Sequence, residues 1–509
     1  MSVAPRTSVA APDDASGATG SLLRTQVARG LAWSSTAAAV QVLLQLVVLC
    51  LLARLISPAA FGIVTTAMIV IAFADVSAQL GVGAALVQRA DLEDRHVATA
   101  YPLSLAFGVA LALGVFATRH LVAEFFHMPD LAAVLVACCL LFPLNALAVV
   151  SESLLQRGMA FDVLARIQTF SYALAFLGVA VPLALLGWGL WALVAAYVAQ
   201  AAVRALAATR AQPLPARWRF ETRAARELLA YGGGFTAARL GNYAALQLDN
   251  VIISRWLGAA ALGVYGRAYQ LMVMPAGLVG QVLGRVLFPT LAKLQLDPAR
   301  ARALYSHAIA WVALLILPLS VAVLILAPEI VGLLLGSQWE GVIAPLRILA
   351  VGMLFRTSYK ISESYANAVG AVYGRAWREA IYALAVVIGS LLGLRWGVTG
   401  VAIGVCAAVF VNFLSMSLFA IRALHIGTLA FLRLHRAGAA LAAVVALVVL
   451  IAAGALRAGD HADGVIVTGA MAPALLVAWA VLARASGRGP GAAVGLAAVH
   501  MRVQSTGRP

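Results

Sequence analysis

Charge is what this chain has least of. Only 11% of its 509 residues are Asp, Glu, Lys or Arg, against roughly 25% in a soluble domain. Hydrophobic residues make up 63%. Apolar stretches long enough to cross a bilayer, about 20 residues each, recur along almost the whole sequence. A chain built around one large soluble core is excluded, and an all-α integral membrane protein is expected.

Lysine is scarcer still. Lys293 and Lys360 are the only two, and they follow Ala292 and Tyr359. A phosphate-cradling loop needs its lysine within Gly-Lys-Ser/Thr, so direct ATP hydrolysis is not expected. The four cysteines, Cys50, Cys138, Cys139 and Cys406, all lie in apolar stretches without zinc or redox spacing. Adjacent Cys138 and Cys139 cannot comfortably bridge each other, and all four read as small buried hydrophobes. The sequence also lacks His-Glu-x-x-His, Gly-x-Ser-x-Gly and a dinucleotide fingerprint after a strand. No enzyme activity, cofactor or metal is expected.

Acidic residues number 20 against 36 basic ones, a formal charge of +16. Nucleic-acid binding would gather that charge on a soluble face. Here the arginines occupy alternate short loops. One set of loops carries Arg89 and Arg95; Arg157 and Arg166; and Arg210, Arg217, Arg219, Arg223 and Arg226. The same set continues with Lys293, Arg300 and Arg302; Arg375 and Arg378; and Arg422, Arg433 and Arg436. The intervening turns hold only Arg119, Arg255, Arg395 and Arg457 as isolated cases. By the positive-inside rule the rich side is cytoplasmic. No nucleic-acid partner is needed to explain the charge.

Residues 1–28 are polar and are expected to be a disordered cytoplasmic N-terminus, leaving the first span as an uncleaved anchor. Fourteen apolar segments follow, near 30–54, 61–86, 97–118, 130–154, 164–186, 189–209, 228–254, 262–290, 304–327, 343–371, 378–395, 398–421, 437–456 and 464–483. An even number of spans puts both termini inside. The expected domains are a first six-helix bundle (29–210), a basic linker (211–227) and a second six-helix bundle (228–421). A further linker (422–436), two extra helices (437–483) and a cytoplasmic tail (484–509) complete the chain. The basic stretch 210–227, with Trp218, reads as a surface helix on the inner leaflet. Trp188 and Trp396 read as interfacial anchors at tight turns.

The two bundles are related in sequence. ARLISPAAFGIVTTA at 53–67 matches SRWLGAAALGVYGRA at 254–268, pairing Arg54 with Arg255, Gly62 with Gly263 and Ala67 with Ala268, all 201 apart (255 − 54). Gly83 and Gly284, and Leu86 and Leu287, keep that offset. Ser151-Glu152-Ser153 recurs as Ser362-Glu363-Ser364 (362 − 151 = 211), and Trp188-Gly189 as Trp396-Gly397 (396 − 188 = 208). Six spans per unit is even, so the repeats run parallel about an axis along the membrane normal, an arrangement of transporters that rock around a central site.

Several stretches carry a family likeness: RGLAW at 29–33, LARLISPAAFG at 52–62, GVGAALVQR at 81–89 and QRGMAF at 156–161. GWGLWALV at 187–194, LDNVIISRWLGAAALGVYGRA at 248–268 and RVLFPTLAKLQLD at 285–297 continue it. On these the chain resembles the Wzx-type polysaccharide flippases, close to the colanic-acid and xanthan-type exporters. Their superfamily also holds MATE drug antiporters and lipid II flippases. The resemblance covers about residues 28–425. It implies a flippase of the bacterial inner membrane for undecaprenyl-pyrophosphate-linked oligosaccharide, serving lipopolysaccharide or exopolysaccharide synthesis. Membrane lipids and the polymerase or export machinery are the other partners expected.

Charges kept inside spans cost about 2.5–3.5 kcal/mol each on insertion scales and so mark candidate sites. In the seventh span Arg239, Asn242 and Asp249 share a helical stripe; in the tenth Arg356, Lys360, Glu363 and Asn367 do. Gln281 and Arg285 stand one turn apart in the eighth span, and Asp75, Gln79 and Glu152 supply polarity in the first half. Arg239, Arg285, Arg356 and Lys360 suit a pyrophosphate, and Asn242, Asn367 and Gln281 suit sugar hydroxyls. Asp249, Glu363, Glu152 and Asp75 are candidates for ion coupling, since a desolvated carboxylate can bind and release a proton. The structural alternatives are a Lys360–Glu363 pair on one helix, an Asp249 that pairs with Arg239 or caps a polar interhelical contact, and an Arg285 that snorkels to the surface. Three rival functions stand: a MATE-like cation antiporter, a membrane polysaccharide polymerase, and an export-complex scaffold. The connections near 119–129 and 328–342 are too short for a catalytic domain.

Overall fold

A computed structural model describes residues 40–78, 82–89, 91–213, 220–295, 297–459 and 461–485. Side chains at 230–242, 244–245, 278–286 and a few further positions lie outside the description. The described residues are helical and contain no strand.

The first half comprises α1 (Val40–Leu55), α2 (Pro58–Ala78), α3 (Val82–Gln88), α4 (Asp94–Phe126), α5 (Pro129–Cys138), α6 (Leu141–Arg157), α7 (Phe161–Ala175), α8 (Val181–Leu185) and α9 (Leu190–Ala211). The second comprises α10 (Thr222–Trp256), α11 (Gly258–Lys293), α12 (Pro298–Ile325), α13 (Ala327–Leu334), α14 (Ile343–Ala368), α15 (Val372–Gly393) and α16 (Gly397–Ala423). A short α17 (Thr428–Arg433) leads to α18 (Arg436–Ala458) and α19 (Asp463–Ala485). Within the described residues, the predicted apolar segments fall on these helices, several of them divided between two consecutive ones; residues 30–39 of the first segment and 79–81 of the second lie outside the described residues. Among the described residues nine helical windows are long and apolar enough to cross a membrane, and Val40–Leu55 and Asp463–Leu476 are shorter apolar helices.

Proline and capping chemistry set the breaks. Pro129, Pro298 and Pro182 stand in the first turns of their helices, where the missing N–H costs nothing. Asp297 caps α12 by accepting the Arg300 N–H at 3.1 Å. Both connections expected as loops are largely helical: α4 continues to Phe126, and α13 with a 3-10 turn at Ser337–Val342 fills the second. Residues 222–227 of the basic linker form the first turns of α10 rather than a separate surface helix, while 214–219 lie outside the described residues. Trp188 and Trp396 stand 55% and 70% exposed at their turns, as anchors would.

Lipid offers no hydrophobic force between helices, so close packing must come from small residues. Gly389 and Gly393 of α15 lie against Gly404 and Gly400 of α16; a Cβ on Gly404 would stand 2.1 Å from the Gly389 oxygen. Gly438 similarly seats α18 on α12 at Ala313. The repeat is visible in hydrogen bonds as well. Tyr101 bonds Ser151 at 2.6 Å in the first half, and Tyr305 bonds Ser362 at 2.8 Å in the second. All four are buried, and the serines are those that the sequence repeat pairs.

Candidate functional site

The two halves meet along α2 and α11 at the arginine-poor face. A Cβ on Gly62 would stand 1.7 Å from the Ala259 carbonyl oxygen, and one on Gly263 would stand 2.0 Å from that of Pro58. Around this crossing, Trp339 Nε1 and Gln338 Nε2 donate to the Ala53 carbonyl at 2.7 and 2.5 Å. Arg54 donates to the Leu333 carbonyl at 2.6 Å. Buried Thr66 and Ser254 bond at 2.7 Å, Phe61 packs edge-on against Trp339, and Arg255 bonds His127. The arginine-poor face is therefore sealed by contacts between halves.

Beneath the seal lies a cavity of about 380 Å³ bounded by α1, α2, α7, α9 and α11. Its wall is polar: Gln41, Gln45, Thr65, Gln200 and Gln270, with Tyr172, Tyr197 and Phe176. Phe176 opens a π-helical turn, Phe176–Ala180, just before Pro182, a bulge of the kind found at functional sites. It stacks on Tyr172 at 4.5 Å and meets Tyr197 edge-on. Among the described residues one cation enters this cavity, Arg267 of α11. Its Nη1 donates to Gln270, its guanidinium sits 4.3 Å over the Phe61 ring, and its buried Nε has no hydrogen-bond partner. Among the described residues it has no carboxylate partner.

Arg267 is the residue that span-by-span reading missed. A signal existed, since it lies one helical turn beyond Gly263 within the repeat itself, on the helix that closes the seal.

The predicted residues divide into groups. The side chains of Arg239, Asn242, Gln281 and Arg285, and residue Gln79, lie outside the description. Asp249 is 5% exposed; it accepts the Tyr265 hydroxyl at 2.7 Å and the Asn250 N–H at 2.8 Å. Arg356 sits 4.8 Å over the ring of Tyr269, one turn from Tyr265, so aromatic rings link the tenth-span stripe to Asp249. Lys360 is exposed and has no ion pair among the described residues. Glu363 is bridged by Arg375 of α15 at 2.8 Å rather than by Lys360, and Arg375 also bonds Glu379 and Asn367. Glu152 takes a two-pronged bond from Arg204 of α9, at 2.6 and 2.8 Å. Asp75 borders a cavity of about 20 Å³ with Ser104 and Asn145, room for one water-sized occupant. The counter-ions Arg204 and Arg375 were not foreseen, because each lies on a different helix from its carboxylate.

At the arginine-rich face the start of α10 is tied to the first half. Glu227 accepts from Arg89 at 2.6 Å, from buried His96 Nε2 at 3.1 Å and from Arg223 at 3.2 Å. Hydrogen bonds from His96 and Arg89 bring its carboxyl down from the ordinary 4.5 to about 2.

Comparison with known proteins agrees with this architecture. Residues 51–344 match the family described as polysaccharide biosynthesis protein. The chain is similar to the lipopolysaccharide biosynthesis protein WzxC of Escherichia coli K12, 27% identical over 66% of this chain and 68% of the relative. The succinoglycan biosynthesis transport protein ExoT of Rhizobium meliloti is 29% identical over 70% and 72%, and the teichuronic acid biosynthesis protein TuaB of Bacillus subtilis is 26% identical over 73% and 79%. In fold, it superposes on the lipid II flippase MurJ in an inward closed conformation with a TM-score of 0.71, over 89% of this chain and 98% of that one, at 14% identity. An inward-facing multidrug resistance MATE transporter gives 0.60 over 76% and 96%, at 17% identity. With its family region covering more than half of the sequence, the chain belongs to the polysaccharide biosynthesis protein family, built on the paired-bundle transporter fold.

Proposed function

We propose that this protein flips an undecaprenyl-pyrophosphate-linked oligosaccharide from the cytoplasmic to the periplasmic leaflet of a bacterial inner membrane, for surface polysaccharide synthesis. The observation that carries this reading is the polar cavity between two bundles, sealed at one face and charged by Arg267, which has no carboxylate partner among the described residues. Glutamine amides both donate and accept, as sugar hydroxyls require. A guanidinium attracts an anionic cargo and repels the cationic cargo of a drug exporter. Family names and fold both support the reading.

The arginine-rich face is cytoplasmic by the positive-inside rule, so the sealed face is periplasmic and both termini are cytoplasmic. Cargo enters from the cytoplasmic leaflet, and the halves rock until the Gly62–Gly263 crossing parts. Arg239, Arg285, Arg356 and Lys360 hold the diphosphate, with Asn242, Gln281 and Asn367 beside the sugars. Of the four carboxylates, Glu152 and Glu363 already carry arginine partners, and Asp75 borders a small cavity of its own. Asp249 is held by a phenol and a backbone amide and is the one best placed to bind and release a coupling cation. The extra helices α18 and α19 move with the second half, because Gly438 seats α18 on α12 and Arg457 bonds Glu329 at 2.6 Å.

The test is in cells that make a surface polysaccharide through this protein. Deletion should trap the lipid-linked repeat on the cytoplasmic leaflet and abolish surface polymer, and the wild-type gene should restore both. Surface polymer unchanged by the deletion would count against the reading.

A further inference from the structure

Arg267 stands apart from the charges assigned to the diphosphate. Among the described residues it is the one cation in a cavity walled by amides, phenols, an aromatic pair and aliphatic side chains such as Leu49 and Leu193. Part of its fork is committed to Gln270 and its plane covers Phe61, while Nε is buried and unbonded. A buried donor without a partner destabilises the fold, so its retention points to a ligand that completes it.

The charge count selects the ligand. A pyrophosphate brings at least two negative charges, and one guanidinium would leave the excess uncompensated in a low-dielectric chamber, a strongly unfavourable state. A single carboxylate balances one guanidinium and matches its fork. The surrounding wall suits what would carry that carboxylate. Gln41, Gln45, Gln200 and Gln270 exchange bonds with hydroxyls, and the Tyr172–Phe176 stack offers a flat apolar face to a ring. The volume, about 380 Å³, lies in the range of small-molecule sites.

We propose that this chamber is a glycan subsite selective for an acidic sugar, with Arg267 gripping a carboxylate of the oligosaccharide rather than its pyrophosphate. The assignment rests on the flippase reading and adds to it that the transported repeat contains a uronate or another carboxylate-bearing sugar.

The experiment is calorimetric titration of the full chain in nanodiscs. Three probes are used: a hexuronate-containing disaccharide, the same disaccharide with its carboxyl reduced to the alcohol, and inorganic pyrophosphate. The wild type should bind the acidic form at least about ten-fold more tightly than the reduced form, since a charged hydrogen bond is worth roughly 1.5 kcal/mol or more. Arg267→Gln should bring that ratio to about one, and Arg267→Lys should keep part of it, because charge survives and fork geometry does not. If Arg267→Gln does not fold, the wild-type and Arg267→Lys ratios still decide. A wild-type ratio near one, an unchanged ratio in Arg267→Gln, or pyrophosphate displacing the acidic disaccharide at lower concentration than the disaccharide itself needs would each overturn the assignment. Export in cells tests the parent reading separately: a ratio near one in a chain that still restores export removes the acidic subsite and leaves the flippase.

Discussion

Gly62 of α2 and Gly263 of α11 are each pressed against the backbone of the other's helix, Gly62 on Ala259 and Gly263 on Pro58. They are equivalent positions of the sequence repeat, and so are Pro58 and Ala259, all related by the same offset of 201 (259 − 58). The contact is thus reciprocal about the pseudo-symmetry axis, and no side chain fits within it. Larger residues there should hold the periplasmic face open. Overpacking costs the closed state about 1–3 kcal/mol, which shifts a two-state equilibrium roughly 5–150-fold. In Gly62→Val or Gly263→Val, a cysteine placed at Gln45 in a Cys50→Ala background should react faster with a membrane-impermeant thiol reagent added outside. Equal labelling with and without the valine would mean that the crossing is not the gate.

The ion pairs make a separate prediction about folding. Arg204→Ala should lower protein abundance by leaving Glu152 uncompensated. The loss should be smaller than the roughly 3–5 kcal/mol of a fully buried pair, since Arg204 is 33% exposed. Exchanging both residues, Glu152→Arg with Arg204→Glu, should recover abundance. If the exchange also restores full export, Glu152 does not couple ions.

Lys360 and Glu363 should behave differently from each other. Glu363→Gln removes a partner of Arg375 and should reduce abundance together with export. Lys360→Gln touches no ion pair among the described residues and should leave abundance normal while reducing export. A Lys360→Gln protein exporting at the wild-type rate would remove Lys360 from the cargo site. Arg239→Glu should abolish export at normal abundance, with Arg239→Lys partly active.

Acid should loosen the cytoplasmic tie. The Glu227 carboxyl sits at about 2 rather than the usual 4.5, so its contribution is complete above pH 4.5 and fades as pH falls from there towards 2. His96 Nδ1 accepts the Glu93 N–H at 3.1 Å, which places its ring proton on Nε2, facing Glu227. Thermal stability of the purified protein should be lost over that acid window, and Glu227→Gln should flatten the loss. An identical acid profile in Glu227→Gln would show that the tie contributes nothing measurable.

Periodicity and loop charge were enough to read the helices, because lipid demands apolar spans and the positive-inside bias marks their ends. The repeat went further: the paired glycines became the interface between halves, and the paired serines became equivalent hydrogen bonds to Tyr101 and Tyr305. Partners across helices were not legible. Helical stripes place Lys360 beside Glu363, yet Arg375 reaches Glu363 from the next helix, a choice that depends on how α14 and α15 pack. Arg267 was passed over because it stands roughly four to five turns from Gln281 and Arg285, the polar pair that marked its span. Apart from Gln270, the residues that share the cavity wall with it come from α1, α2, α7 and α9, far away in sequence.

The most direct test of transport itself uses the purified chain in proteoliposomes loaded with a fluorescent, short-chain polyprenyl-pyrophosphate oligosaccharide. Cargo accessibility to an external glycosidase is followed over time under an imposed proton or sodium gradient. The chain should move cargo between leaflets faster than protein-free vesicles do, without ATP, and should stop when the gradient is dissipated. Movement no faster than in empty vesicles under either gradient, or movement that requires ATP, would contradict the account.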